Sequence, residues 1–261
     1  MKHGASLPPQ LLADILRGLT KGFPTRYRGG GDFMRNYTRE PRGEEEKQKE
    51  KEKAREMVQR GWGAGPFSSP PTPNAQCPKQ PILTLSFTIP KHKWADDGSL
   101  RLIFHKSFQK GLSINTLTPR HDIKTYFPVG QYIYFTFAVL IGMIARIGRN
   151  CLLTQFDAKD AYKQLYIWVG DLNQQIFEID GMFFVDWCAV FGSLYGNDIY
   201  SAFGNAHCMC LAVMANTPLL RVYVGNYINI TPFMSKNHID QSYDRNRQAH
   251  TGPEGERAQI A

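Results

Sequence analysis

The sequence predicts an α+β fold in which an antiparallel sheet and packed helices come from separate stretches of one chain. Short β-prone runs joined by Asp-Gly or Gly-Asn pairs predict hairpins within residues 82–104, 175–191 and 221–230. Apolar residues at helical spacing predict helices before and between these hairpins. A repeated βαβ unit and a fixed-period repeat are both lacking in the sequence, which disfavours a doubly wound sheet and a solenoid.

Little globular structure is predicted for the first third of the chain. Residues 1–60 are expected to form a loosely ordered helical region. In it, Leu11 to Leu19 has helical apolar spacing, and Glu44 to Arg60 is a charged run that suits a solvated helix without chemistry of its own. Residues 61–81 are rich in Pro, Gly and Ser and predict an extended connection.

The globular part is predicted over residues 82–234. Ile82 to Ile89 alternates as one strand, and Leu100 to Phe104 is expected to pair with it. The uncharged run from Tyr132 to Ala145 is too short to span a bilayer comfortably and predicts a buried helix. The polar residues 235–261 predict a disordered tail.

Two more helices and three turns complete the prediction, and the first turn, over Lys91 to Ser99, has Asp97-Gly98 at its tip. A strand begins at Cys151 and is expected to become helical after Asp157. A second helix is predicted over Asn197 to Met214. The hairpin turns are placed at Asp180-Gly181 and at Gly225-Asn226.

Composition favours an intracellular globular protein with an anionic partner. The 261 residues are 42% hydrophobic and 21% charged, enough for one large domain or two small ones. The net charge of +8 favours a partner such as nucleic acid. The sequence shows neither a signal peptide nor a transmembrane helix, and its five cysteines include no Cys-x-x-Cys pair, so reduced thiols are expected. His207, Cys208 and Cys210 cluster, but their spacing fits no usual zinc pattern.

The densest chemical signal is the stretch FDAKDAY, residues 156–162. Asp157 directly follows an apolar strand, where a carboxylate at a strand end faces a cleft, and Asp160 follows three residues later. The same pattern also suits a helix N-cap at Asp157 with a second acid in the first turn. The stretch alone leaves both interpretations open.

Together with its neighbours, this stretch resembles the reverse transcriptases of retroelements, especially those of the DIRS and Ty3 types. The resemblance covers roughly Gly61 to Phe233 and rests on five motifs in the family's order. These are Pro90-Lys91 with Arg101-Leu102-Ile103, then Ser113 to Asn115, Asp157 to Tyr162, Val190 to Gly192, and Tyr223 to Asn226. The resemblance implies polymerase-type fingers and palm, with the thumb absent or truncated.

The resemblance also implies an activity and the residues for it. The family performs template-directed nucleotidyl transfer with two Mg²⁺ ions, an RNA template, a DNA primer and deoxynucleotides. By resemblance, Asp157 is the first metal ligand and the catalytic carboxylate. Asp160 and Ala161 would line the triphosphate pocket through backbone groups, and Tyr162 would exclude the 2′-hydroxyl.

Four further residues would complete the nucleotide pocket by resemblance. Lys91 and Arg101 would neutralise the triphosphate, while Phe191 and Gly192 would form the floor of the pocket. Other interpretations stay open for each. Lys91 and Arg101 also suit surface charges on a hairpin, Tyr162 suits a core aromatic, and Phe191-Gly192 suits a strand end and turn.

The sequence departs from the family at the catalytic hairpin. The Asp-Asp pair of the family falls on Gly225 and Asn226. Glycine has no side chain, and an amide oxygen is a poorer Mg²⁺ ligand than a carboxylate. With Asp157 as the only matched ligand, Mg²⁺ binding is expected to be impaired and polymerase activity weak or absent.

Three alternatives to a polymerase remain open. One is a nucleic-acid-binding remnant of a mobile element that keeps a basic cleft without chemistry. Others are the product of a pseudogene and an unrelated α+β domain. The cations that would serve nucleic-acid binding are Lys91, Lys93, Arg101, Lys106, Lys110 and Arg120.

Overall fold

A computed structural model describes residues 9–29, 43–90, 100–108, 113–118, 136–148, 151–214, 221–223 and 226–232. The chain forms two compact units. The larger unit comprises residues 8–126 and 160–200, and the smaller unit comprises residues 1–7, 127–159 and 201–261.

The larger unit contains a four-stranded sheet in the order β1-β7-β6-β2. These strands are Gly63–Phe67 (β1), Leu83–Thr84 (β2), Ile176–Ile179 (β6) and Met182–Asp186 (β7). The β6–β7 hairpin turns at Asp180-Gly181, as predicted, with φ of 52° and 74° at these residues. Both values suit a two-residue hairpin turn, for which Asp-Gly is a strong sequence signal.

A separate hairpin in the larger unit pairs Ser86–Pro90 (β3) with Leu100–Phe104 (β4) in antiparallel register. The predicted single strand over Ile82 to Ile89 is therefore wrong in one respect. It divides at Leu85 into β2, which pairs in parallel with β6, and β3. The division could not be predicted because a period of two suits a strand in either sheet. The predicted turn at Asp97-Gly98 lies outside the described residues.

Two of the described α-helices lie entirely in the larger unit, Pro9–Lys21 (α1) and Glu44–Gln59 (α2). The expectation that α2 is simply solvated is wrong, because Ala54 and Met57 on one side of it are buried in the core. Phe177 lies at the centre of this core, edge-on to Phe104 at 5.0 Å and stacked on Phe184 at 5.5 Å. The helix therefore buries one side, which includes the charged Glu50 at 0% exposed, and leaves its other charged side chains exposed or half-buried.

The smaller unit contains a three-stranded antiparallel sheet in the order β5-β9-β8. The strands are Cys151–Asp157 (β5), Arg221–Tyr223 (β8) and Asn226–Pro232 (β9). Alternate side chains of a strand point to opposite faces. Phe156 and Tyr227 therefore share one face, which packs against Cys208 on the helix Leu194–Met214 (α4).

The opposite face of this sheet packs against the helix Phe137–Ile147 (α3), where Met143 contacts Ile230. The prediction of a buried helix here is wrong, because Phe137 is 75% exposed and Ile141 is 51% exposed. Residues 132–135 of the predicted helix lie outside the described part of the chain. Among the helices that the structure describes, none has the length and apolar character needed to cross a membrane.

Candidate functional site

The end of β5 in the smaller unit brings two of the sequence-predicted site residues together. Asp157 lies directly opposite Asn226 in the β5–β9 register. Residues opposite each other in an antiparallel pair have Cα atoms about 4.5–5.5 Å apart, and their side chains share a face. The two residues that the sequence resemblance matches to metal-binding positions, Asp157 and Asn226, are therefore neighbours.

The turn of this hairpin differs from its predicted position by one residue. Tyr223 pairs with Asn226, so Asn226 is the first residue of β9 and not part of the turn. The residues between the paired positions, among them Gly225, lie outside the described residues. The Gly-Asn signal suggested the wrong register because it depends on two residues, whereas the register of β9 depends on its pairing with β5 over seven residues.

Gln155, which was not predicted to be a site residue, also contacts Asn226 at the end of β5. Gln155 Nε2 donates a hydrogen bond to Asn226 Oδ1 at 2.8 Å. Gln155 lies two residues before Asp157 and therefore on the same face of β5. That spacing was the available signal, but it becomes meaningful only once the register with β9 is known.

The donor set at this strand end does not fit the Mg²⁺ ions that the fold family implies. Asp157 supplies one carboxylate, and the oxygen of Asn226 already accepts from an amide N–H. Mg²⁺ prefers hard, anionic oxygen ligands and dehydrates reluctantly. In the part of the chain that the structure describes, no group of three or more His, Cys, Asp or Glu side chains is placed to hold a metal ion.

The strand end is anchored from the opposite face of the sheet. Tyr227, which follows Asn226, is 1% exposed, and its hydroxyl lies 2.8 Å from His207 Nδ1 on α4. The Tyr227 ring also stacks with Phe156 at 6.2 Å. These contacts fix the register of β9 and therefore the position of Asn226.

The larger unit brings together three residues of the predicted nucleotide pocket. The Arg101 guanidinium lies 5.3 Å from the centre of the Phe191 ring, and the Tyr162 ring lies 4.8 Å from the same ring. Phe191 is 39% exposed, whereas Tyr162 is 8% exposed and its hydroxyl donates to Asn197 at 3.5 Å. An exposed aromatic ring beside a guanidinium can stack on a base or contact a phosphate. Lys91 lies outside the described residues.

The segment around Asp160 is less helical than predicted. Only a short 3₁₀ helix forms, over Ala161–Gln164. Asp160 precedes it in a left-handed conformation with φ of 52° and makes no side-chain cap. Its carboxylate lies 3.5 Å from Arg60. Asp157 is not an N-cap either, because it is the last residue of β5.

Asn115 positions the Phe191-Gly192 element. Its Nδ2 donates to the Gly192 carbonyl at 2.8 Å, and its Oδ1 accepts from the Leu194 backbone N–H at 2.8 Å. The Phe104 N–H donates to the Phe191 carbonyl at 3.2 Å. Asn115 belongs to one of the motifs in the sequence resemblance, but its bonding partners became apparent only from the fold.

Buried charges in the larger unit, among them Asp186 and Lys106, were not predicted. Asp186 is 0% exposed and forms an ion pair with Lys163. Burial raises the pKa of the Asp186 carboxyl, while Lys163 opposes that shift. Lys106 is 2% exposed, and burial lowers its pKa to about 7. The expectation that Lys106 serves nucleic-acid binding is therefore wrong, because its ammonium group donates to the Gln174 carbonyl and to Thr84 Oγ1 inside the unit.

Replacing Lys106 with Met is expected to change the pH dependence of stability. Below a pH of about 7 the folded chain buries a charged ammonium group. Between that pKa and the unfolded value of 10.5, the unfolded chain binds more protons, so the stability of the unmodified protein rises with pH. Relative to the Met variant, this rise is at most about 1.4 kcal/mol per pH unit. Urea unfolding of both proteins from about pH 6 to about pH 9 measures it. Parallel pH profiles of the two proteins would contradict the prediction.

Comparison with solved structures shows that the chain has a reverse-transcriptase-like fold. The native prototype foamy virus protease-reverse transcriptase is 15% identical and superposes with a TM-score of 0.56 over 87% of this chain and 25% of that chain. The foamy viral protease-reverse transcriptase in complex with double-stranded DNA is 13% identical, with a TM-score of 0.55 over 87% of this chain and 33% of that chain. This chain thus spans a quarter to a third of their length. No protein-family model and no curated protein matches it.

Proposed function

We propose that this chain is the reverse-transcriptase-like domain of a retroelement, of DIRS or Ty3 type, and that it has lost metal-dependent nucleotidyl transfer. The observation that carries the proposal is the pairing of Asp157 with Asn226 at the end of β5. The position opposite the carboxylate holds an amide whose oxygen is already occupied by Gln155. One carboxylate cannot hold two dications against their mutual repulsion.

Primer extension on an RNA template tests the loss of activity. With deoxynucleotides and either Mg²⁺ or Mn²⁺, the chain is expected to add no nucleotide above background, because losing an essential group at a metal site costs orders of magnitude in rate. A template-free reaction and an active reverse transcriptase serve as controls. Robust incorporation that Asp157→Asn abolishes would overturn the proposal.

A second candidate function is the binding of nucleic acid without chemistry. The exposed Phe191 ring beside Arg101 and the net charge of +8 favour it. An RNA–DNA hybrid is the ligand that the sequence resemblance implies. Retention of the hybrid that weakens steeply with salt supports this function, since each phosphate contact made by a cation adds to the salt slope. Binding that is absent at low salt would exclude it.

A further inference from the structure

The face of the smaller unit's sheet that carries Asp157 is open near the strand end. The apolar cluster around α3 covers this face at Ile230, Cys151 and Ile228, and Ile228 lies opposite Gln155, two residues from Asn226. Gln155 and Asp157 are exposed, and Asn226 is half-buried. The amide groups of Gln155 and Asn226 are joined by their hydrogen bond on this open face.

The hydrogen bond sets which way the Asn226 amide points. Its Oδ1 faces Gln155 Nε2, so Nδ2 points to the other side of the planar amide. Amide N–H groups of Asn and Gln donate directly to phosphate oxygens of nucleic acids. A carboxylate in place of Asn226 would add to the repulsion that Asp157 already exerts on a phosphate, whereas the neutral amide adds none and supplies a donor.

We propose that Asn226, oriented by Gln155, is a metal-independent contact for a phosphate of a bound nucleic-acid strand. The inference rests on the proposed function, in that the chain must hold nucleic acid at all. It adds that the loss of the family's acid created a different kind of contact at the same strand end. Asn226 supplies the donor, and Gln155 is the positioning residue.

Binding of a labelled RNA–DNA hybrid in EDTA, followed by fluorescence polarisation, tests the proposal. Asn226→Asp is expected to weaken binding about 10-fold, because it removes the donor and adds a charge beside Asp157. Added Mg²⁺ is expected to recover part of that loss. Gln155→Leu is expected to weaken binding about 3-fold without changing the salt slope, because an uncharged contact releases no counterion.

Two more variants serve as controls. Gln48→Glu adds the same charge on the exposed side of α2 and is expected to leave the affinity unchanged. Asn226→Ala removes the donor without adding charge, so about 3-fold weaker binding is expected even if the Asp variant folds poorly. Far-ultraviolet circular dichroism confirms that each variant keeps its secondary structure.

The outcomes separate the two proposals. If the unmodified chain binds no hybrid at low salt, nucleic-acid binding fails and the phosphate contact fails with it. If the chain binds the hybrid in EDTA but Asn226→Asp, Asn226→Ala and Gln155→Leu all bind as tightly as the unmodified chain, only the phosphate contact is overturned. In that outcome the amide pair would merely fasten β5 to β9.

Discussion

Replacing Lys163 with Met is expected to destabilise the larger unit by about 3–5 kcal/mol, because it leaves a buried carboxylate without its partner. Asp186 is 0% exposed, and Lys163 is the cation that pairs with it. After the substitution, Asp186 keeps the Cys188 backbone N–H as a donor at 2.9 Å and an electrostatic attraction to Lys106. These weaker interactions do not compensate for removing a carboxylate from water.

The pH dependence of the Lys163→Met variant is a second readout. Burial already raises the pKa of Asp186, and losing the ammonium group raises it further. A carboxyl with a raised folded pKa binds its proton more readily in the folded chain, so stability falls as pH rises towards that pKa. The deficit of the variant is therefore largest near neutral pH and smaller in acid.

Tryptophan fluorescence during urea unfolding measures this loss. The tryptophans that the structure describes, Trp62, Trp168 and Trp187, lie in the larger unit, so the signal reports on that unit. Lys49→Met removes the same side chain from the exposed ion pair with Glu45 on α2, and no measurable loss is expected. Equal losses for the two variants would show that the buried pair is no more important than a surface pair.

The parts of the fold that sequence predicted well are those with local signals. The Asp180-Gly181 turn and β4 depend on turn chemistry and alternation within a few residues, and both occur as predicted. The packing of α2 was missed because its charged run hides Ala54 and Met57, whose burial depends on distant strands. The predicted boundaries at residues 60, 81 and 234 stay predictions.

The candidate site was predictable in outline but not in detail. The sequence motifs indicated Asp157, Asn226, Arg101 and Phe191. In the structure, Asp157 pairs with Asn226 in the smaller unit, and Arg101 lies beside Phe191 in the larger unit. A one-residue difference in register moved Asn226 from the turn into β9. The role of Gln155 follows from that register and could not be predicted before it. Burial of a charged residue such as Lys106 likewise depends on tertiary packing, which composition does not report.

Replacing Gly192 with Ala is expected to destabilise the larger unit by about 3 kcal/mol or more, through backbone strain and a steric clash. Gly192 has a φ of +91°, a conformation that residues with a side chain rarely adopt. A Cβ atom there would overlap the carbonyl oxygen of Phe104 on β4, which is backbone and cannot rotate away. To relieve this clash, β4 must move away from the segment that contains Phe191. Arg101 is part of β4 and would move with it.

Gly181→Ala is the matched control that separates the two costs. Gly181 has a similar φ of +74°, but nothing lies within 4 Å of a Cβ built on it. Its substitution therefore reports backbone strain alone, about 1–2 kcal/mol, and any excess at Gly192 measures the clash with β4. The excess should be accompanied by weaker binding of the RNA–DNA hybrid, because the ring and the guanidinium are no longer held together. If both alanine variants lose the same stability and bind the hybrid equally, the close approach of Gly192 to β4 does not position Phe191 and Arg101.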